Sequence, residues 1–340
     1  MALTKRQEQI LALIVDSYIS SGGPIGSGAI SGELAVSSAT VRNEMAILTD
    51  RGYIEQPHTS AGRVPSERGY RYYVDNLIGM PDAGEDLHNE AQGFFEGLSG
   101  SHDEILSAVA SKLSDLSGCI AVVTTPYDER AAVSAARLMP LGKRSAMVAV
   151  IMSTGVVKSK ICRLTDELGM DDARLFYTIA NAFFTGRGLA GLTIANLQTT
   201  VAALGEKLFT LAPLIIAVDE LARESFRRSA IVGGMSALTK GSYNTDVGAL
   251  SAYLRNPDRL AAAFCSFKDD MTVRIGHENR DRELAGSSVI ISKYKVGGQN
   301  VGSVGIIGPV RMDYARLIPC VRLFSVSLND VFSDTEASLQ

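Results

Sequence analysis

Residues 37–73 read SSATVRNEMAILTDRGYIEQPHTSAGRVPSERGYRYY, and the reading of the rest of the chain depends on them. Val41, Met45 and Leu48 recur at i, i+4 and i+7, which predicts one buried stripe on a helix. Ser38, Thr40, Arg42 and Asn43 turn away from that stripe at the helix start, so short polar donors and one guanidinium stand where a DNA groove could be entered. Gly52 supplies a helix terminator, Tyr53 and Ile54 begin an extended segment, and Ser60-Ala61-Gly62 has the chemistry of a hairpin tip, followed by Arg63. A helix and a charged loop are thus expected to project from one side.

Upstream, Thr4 with Gln7 forms a capping-box pattern, and Ile10, Leu11, Ile14, Val15, Tyr18 and Ile19 repeat at helical spacing until Gly22-Gly23-Pro24. Ser27 can cap a second helix reaching Leu34, and Ala35-Val36-Ser37 turns the chain into the third. Three helices and a hairpin make a winged helix-turn-helix. Glu67 to Ile78 reads as a further helix bracing the hairpin through Tyr70, Tyr73, Val74 and Leu77.

Two sequences carry a family resemblance: GYIEQPHTSAGRVPSERGYRYYVD, preceded by SSATVRNEM, and, far downstream, Ile275-Gly276-His277-Glu278-Asn279 with GSVGIIGPVRMDYARLIPCV, Gly302 to Val321. Together they resemble the heat-inducible transcription repressor family HrcA, with the middle of the chain matching only in outline. The resemblance implies a GAF-like sheet domain, a helical insertion serving dimerisation, the CIRCE inverted repeat as operator and the GroEL chaperonin as partner. Gly28 stands where the family pattern leads one to expect a basic residue, which removes one phosphate contact from the second helix.

Length and charge bound these readings. The chain has 340 residues, 46% hydrophobic and 21% charged, enough for two or three domains. Lys and Arg number 33 against 37 Asp and Glu, a formal charge of -4, and the pI is about 5.7. Such a protein does not coat nucleic acid indiscriminately, so DNA contact must be local. Between His58 and Tyr73, Arg63, Arg68 and Arg71 stand against Glu67, a net of +2. Cys119, Cys162, Cys265 and Cys320 are too scattered for a metal or a disulfide framework, which makes a reducing cytoplasm the simplest compartment. The N-terminus mixes charges into its apolar pattern, unlike a signal peptide, and Leu208 to Val218 is too short an apolar run to span a bilayer.

From Gly79 to Ser101 the chain is rich in Gly and acids, as in a connector carrying a short helix, and the boundary of the first domain falls near Gly84. An amphipathic helix, Asp103 to Leu116, leads into strand-like runs at Cys119–Thr124, Ala135–Leu141, Ala146–Met152 and Val156–Leu164. Helical patterns occupy Asp171–Gly188, Leu197–Leu211 and Pro213–Arg228, the last with Pro213 expected near its first position. Strands return at Ala230–Gly234, Met271–Ile275, Ser287–Tyr294 and Gly302–Ile307, and Arg311–Pro319 begins a closing helix, or a helix and a strand. The expected class is α+β: a DNA-binding domain at 1–84, a GAF-like domain in two parts at 85–168 and 230–340, and an inserted helical dimerisation domain at 169–229.

Candidate DNA contacts are Ser38, Thr40, Arg42, Asn43, His58, Thr59, Ser60 and Arg63. Arg suits guanine or phosphate and Asn suits adenine, and Gly62 would let the backbone approach closely. The competing reading is a solvated helix face and an exposed hairpin charge. Phe183, Phe184, Leu208, Leu211, Leu214, Ile215, Val218 and Leu221 offer more apolar surface than a covering layer needs, which marks either a homodimer interface or helices packed on a sheet. Enzymes are disfavoured: His58, His88, His102 and His277 fall in no metal spacing, phosphate-loop motifs are absent, and no cofactor is expected. The functional expectation is a dimeric repressor of chaperone operons. The alternative is a repressor gated by a small molecule held in the GAF-like domain.

Overall fold

The computed structural model describes residues 3–337 apart from 59–60, 80–82, 129, 241–242, 244–245 and 297–298. The first helix, α1 (Lys5–Ser21), opens with the expected capping box: the Thr4 hydroxyl accepts from the Gln7 N–H at 3.3 Å, and the Gln7 side chain accepts from the Thr4 N–H at 3.1 Å. Gly22 ends it at a φ of 74°. Ile10, Leu11, Ile14 and Val15 lie fully buried against α2 (Ser27–Leu34) and α3 (Ser38–Asp50), and α3 contributes the predicted stripe of Val41, Met45 and Leu48. Two short antiparallel strands follow, β1 (Ile54–Glu55) and β2 (Val64–Pro65), then α4 (Glu67–Asn76). Tyr70 and Tyr73 of α4 are buried, and the Tyr72 hydroxyl donates to Glu8 on α1 at 2.7 Å.

After α4 come α5 (Glu85–Glu96) and α6 (His102–Ser117). The acidic segment expected to connect domains is therefore partly a packed helix. Its Ala91 and Phe95 are buried, and Phe95 meets Phe324 edge-on with ring centres 5.4 Å apart.

The chain then builds two sheets. β3 (Ile120–Thr124) belongs to the larger, but the next three strands, β4 (Val133–Gly142), β5 (Ser145–Met152) and β6 (Val157–Arg163), pair only with one another in an antiparallel sheet of their own. Against it pack α7 (Met170–Phe183), α8 (Ile194–Ala202) and α9 (Leu208–Ser225), closing a separate core between Ala131 and Phe226. The expected helical insertion at 169–229 is thus a mixed unit that starts before β4. Alternation along these strands is as good in either sheet, so the pattern could not say which sheet they join.

Pro213 also sits differently from expectation: α9 starts at Leu208, so proline occupies the helix interior. The carbonyl of Phe209 loses its helical donor there and accepts from the Thr165 hydroxyl at 3.3 Å instead.

The larger sheet is completed by β7 (Ala230–Gly233), β8 (Met271–Ile275), β9 (Ser287–Val296) and β10 (Gln299–Pro309), in the antiparallel order β7-β3-β10-β9-β8. Side chains alternate between its faces. Ala121, Val123, Ile290, Val304 and Ile306 face α6 and the closing helix α13 (Tyr314–Ala337), in a core continuous with that of the first three helices. Ile120, Val122, Val289, Ile291 and Ile307 face three helices that pattern reading left undescribed: α10 (Ala237–Lys240), α11 (Val247–Leu254) and α12 (Pro257–Cys265). Two of them carry start signals in the sequence. Asp246 accepts from the N–H groups of Gly248 and Ala249, and Asn256 precedes Pro257 at the first turn.

The burial pattern corrects the interface expectation. Phe184, Leu211, Leu214, Ile215, Val218 and Leu221 lie within the core of the inserted unit, while Phe183 and Leu208 are half-buried beside it. They cover the small sheet. Ile215→Ala should therefore lower stability by about 2–5 kcal/mol through a cavity, as measured by chemical denaturation; a loss within error of zero would place that side chain outside the core.

Candidate nucleic-acid interface

The turn between α2 and α3 bends at Ala35, whose φ of 52° is the one positive value among the described non-glycine residues. Ser37 then caps α3, its hydroxyl accepting from the Thr40 N–H at 3.1 Å and lying 2.8 Å from the Thr40 hydroxyl. Ser38 pairs with Ser27 across to α2, their oxygens 3.0 Å apart. Ser38 and Thr40 are half-buried in this polar seam, whereas Arg42 and Asn43 are exposed. Arg42 donates from Nε to the Ser27 hydroxyl at 3.3 Å, which orients the guanidinium while leaving its tip in solvent. The end of α3 that presents these groups is the end where unpaired N–H groups and the helix dipole favour phosphate oxygens.

Arg63 is placed differently from the sequence expectation. Its backbone exchanges two hydrogen bonds with Ile25, both 2.8 Å, and its Nε donates to the Thr49 hydroxyl on α3 at 3.1 Å. A Cβ on Gly62 would fall 2.4 Å from the Ile25 carbonyl oxygen, so the close approach this glycine permits is to the chain's own backbone. Arg63 therefore ties the hairpin to α3 and to the link before α2. His58 is exposed, and its carbonyl accepts from the Ala61 N–H at 2.8 Å. Thr59 and Ser60 lie outside the described residues.

Of the arginines counted in the basic patch, Arg68 is exposed and stacks over Tyr53 at 4.7 Å. Arg71 leaves the patch altogether. It turns toward the large sheet, bonding the Glu278 carboxylate through Nε at 2.8 Å and again through Nη2, the Val273 carbonyl at 2.7 Å and Asp75 at 3.1 Å.

That contact explains the motif at Ile275–Asn279, which sequence reading left without a role. The turn grips α4. Beside Arg71, Glu67 accepts from the His277 N–H at 3.1 Å and lies 3.0 Å from its Nδ1. Gly276 holds a φ of 54°, and a Cβ there would stand 2.0 Å from the Glu67 carboxylate. Asn279 is buried and donates to the carbonyls of Gly276, Leu284 and Ser287, fixing the turn from below. Arg311 adds a second tie, donating to the Tyr18 carbonyl at 3.2 Å near the end of α1. The signal available in sequence was the turn chemistry of Gly276 and Asn279; its partners on α4, Arg71 and Glu67, lie 207 and 210 residues from Glu278 and His277 and are invisible to local patterns.

Among the described residues no cluster of three His, Cys, Asp or Glu side chains could hold a metal ion. Burial raises the thiols of Cys119 and Cys320 to about 11, which keeps them protonated and unreactive near neutrality.

A profile described as the HrcA protein C terminal domain matches residues 103–318. Proteins named heat-inducible transcription repressor HrcA are similar along nearly the whole chain. The one from Halalkalibacterium halodurans is 33% identical over 98% of both chains. That from Brevibacillus brevis is 33% identical over 93% of this chain and 94% of its own, and that from Pelotomaculum thermopropionicum is 31% identical over 97% of each. A crystal structure of a hypothetical protein superposes with a TM-score of 0.71 at 21% identity, covering 98% of this chain and 100% of that one, a likeness of fold alone.

The grip on α4 has two testable consequences. Gly276→Ala should cost about 1–2 kcal/mol for the left-handed backbone and displace Glu67, seen as faster amide exchange in α4; unchanged exchange there would contradict the contact. Burial alone would raise the Glu278 pKa, but the Arg71 hydrogen bond and the Ile275 N–H outweigh it and hold the group below the ordinary carboxylate value. Its contribution is thus present above the unfolded-state pKa and is lost as pH falls through the lower folded value. Exchange in α4 should accelerate in that acid window, ahead of α9.

Proposed function

The chain belongs to the HrcA family, and from that premise we propose that it is a heat-inducible transcription repressor whose first domain, a winged helix-turn-helix, reads DNA with α3 and the β1–β2 hairpin. It is a regulator and no enzyme. The observation that carries the DNA reading is the pair Arg42 and Asn43, exposed at the capped start of α3 on the side opposite its buried stripe of Val41, Met45 and Leu48. Arg63, bonded to Thr49 at 3.1 Å, sets the hairpin at a fixed angle to α3. Arg68 adds an exposed charge beside it.

By its family the target is the CIRCE inverted repeat before chaperonin and related chaperone operons, and release on heat stress follows when the GroEL chaperonin, occupied with unfolded clients, no longer supports the repressor. One α3 reaches one half-site, so an inverted repeat calls for two linked copies. The side chains first expected at that interface are core, and a different set from the same inserted unit serves the proposal better. Phe209 of α9 is 76% exposed and Ile194 of α8 72%, with Ile216 of α9 at 41%. Large apolar groups left in water on one unit are the usual mark of a protein-protein contact.

Fluorescence anisotropy against operator and scrambled duplexes over a salt series tests the DNA reading. Arg42→Ala should reduce discrimination by about 1–3 kcal/mol. Arg63→Ala, which frees the hairpin from Thr49 on α3, should weaken binding to both duplexes alike, and Arg68→Ala, which removes an exposed charge, should lower the salt slope by about 1. Unchanged affinity and slope in all three variants would move the recognition surface elsewhere. Light scattering tests the dimer: Phe209→Glu should stay folded by circular dichroism yet become monomeric and lose operator affinity, whereas Ile215→Asp should unfold. A folded, dimeric Phe209→Glu protein would exclude that surface.

A further inference from the structure

On the α12 face of the large sheet, at its β8 edge, lies a pocket of about 260 Å3. Its floor is apolar, formed by the buried side chains of Phe264, Leu284, Val289 and Ile291. Two arginines line it, Arg274 and Arg280. Neither is paired with a carboxylate among the described residues. Arg274 donates to the backbone carbonyl of Glu278 at 3.0 Å and lies over the Phe267 ring at 4.5 Å, while Arg280 is exposed. The carboxylate in the wall, Asp281, is already taken by Arg259 at 2.8 Å and by the Tyr253 hydroxyl at 3.1 Å. The Glu278 carboxylate faces away, toward Arg71 and the Ile275 N–H. Burial first and then the like charge of Arg280 lower the Arg274 pKa, and the Glu278 charge offsets them only in part. An apolar floor with two guanidiniums that lack a carboxylate partner matches a ligand with an apolar body and one anionic end. The pocket lies below the about 300–1,000 Å3 typical for drug-sized ligands, so that ligand is small.

The pocket also shares a wall with the contact that orients the DNA-reading domain. Glu278 is held from the pocket side by Arg274 through its carbonyl and from the α4 side by Arg71 through its carboxylate. Arg71 further bonds the carbonyl of Val273, the residue next to Arg274. A ligand that draws Arg274 toward itself competes with the Glu278 carbonyl and thereby acts on the turn that grips α4.

We propose that this pocket binds a small carboxylic acid with an apolar body, its carboxylate paired with Arg274 and Arg280, and that occupancy is transmitted to the DNA-reading domain through Glu278. Transmission requires that the acid and DNA change each other's affinity by the same factor. The test titrates octanoate and phenylacetate into the full chain by calorimetry, with octanamide and phenylacetamide as uncharged counterparts. Saturable binding of at least one acid is expected, with its amide weaker by about tenfold or more. Arg280→Gln should weaken the acid comparably without altering circular dichroism, and Arg280→Lys should restore most of it. Absence of saturation by both acids, equal binding of acid and amide, or full binding by Arg280→Gln would overturn the site. Operator affinity measured with and without saturating acid tests the transmission, and no change would overturn it. The calorimetric arm contains no DNA, so failure of the repressor reading would leave it standing.

Discussion

Arg71, bonded at once to the Glu278 carboxylate and the Val273 carbonyl, carries the orientation of the first domain on the large sheet. Strength comes from elsewhere. Pairs exposed to this degree are worth at most about 1 kcal/mol each, whereas the apolar core runs unbroken from Ile10 and Leu11 through Tyr70 to Tyr314 and Phe324. The polar contacts select one arrangement from those the apolar contact allows, because Gly276, Glu67 and His277 fit in only one register. The placement of α3 relative to the large sheet therefore depends on the turn at Ile275–Asn279.

The elements built on local rules were legible. The Thr4–Gln7 capping box, the Val41, Met45 and Leu48 stripe, the left-handed Gly22 and Gly52, and most strand positions follow from periodicity and cap chemistry. What depends on distant pairing was not. Whether β4, β5 and β6 join the large sheet is decided by which edges meet, and alternation reads the same in both cases. Apolar residues on α9 announce burial without naming the partner, which is why Ile215 and Leu221 looked like an interface and are core. Three helices after β7 escaped because their apolar positions are short and broken, although Asp246 and Asn256 announced two of them.

At the candidate site Arg42 and Asn43 stand exposed on α3, as the pattern led one to expect, while the hairpin is held by contacts within the chain. Gly62 does permit a close approach, made by Ile25 of the same chain, and Arg63 turns to Thr49. The three arginines that looked like one patch serve different ends: Arg63 fixes the hairpin, Arg68 stacks on Tyr53 in solvent, and Arg71 holds the large sheet. In an acidic chain of formal charge -4, so small a cationic surface suits a target bound at two points at once.

Hydroxyl-radical footprinting of the full-length protein on the promoter of its own chaperonin operon addresses the central claim most directly. Two protected segments related by two-fold symmetry, their centres separated by whole helical turns of about 34–36 Å, are the predicted result. A single protected half-site, or even protection along any duplex offered, would contradict the claim that this chain reads an inverted repeat as a dimer through α3.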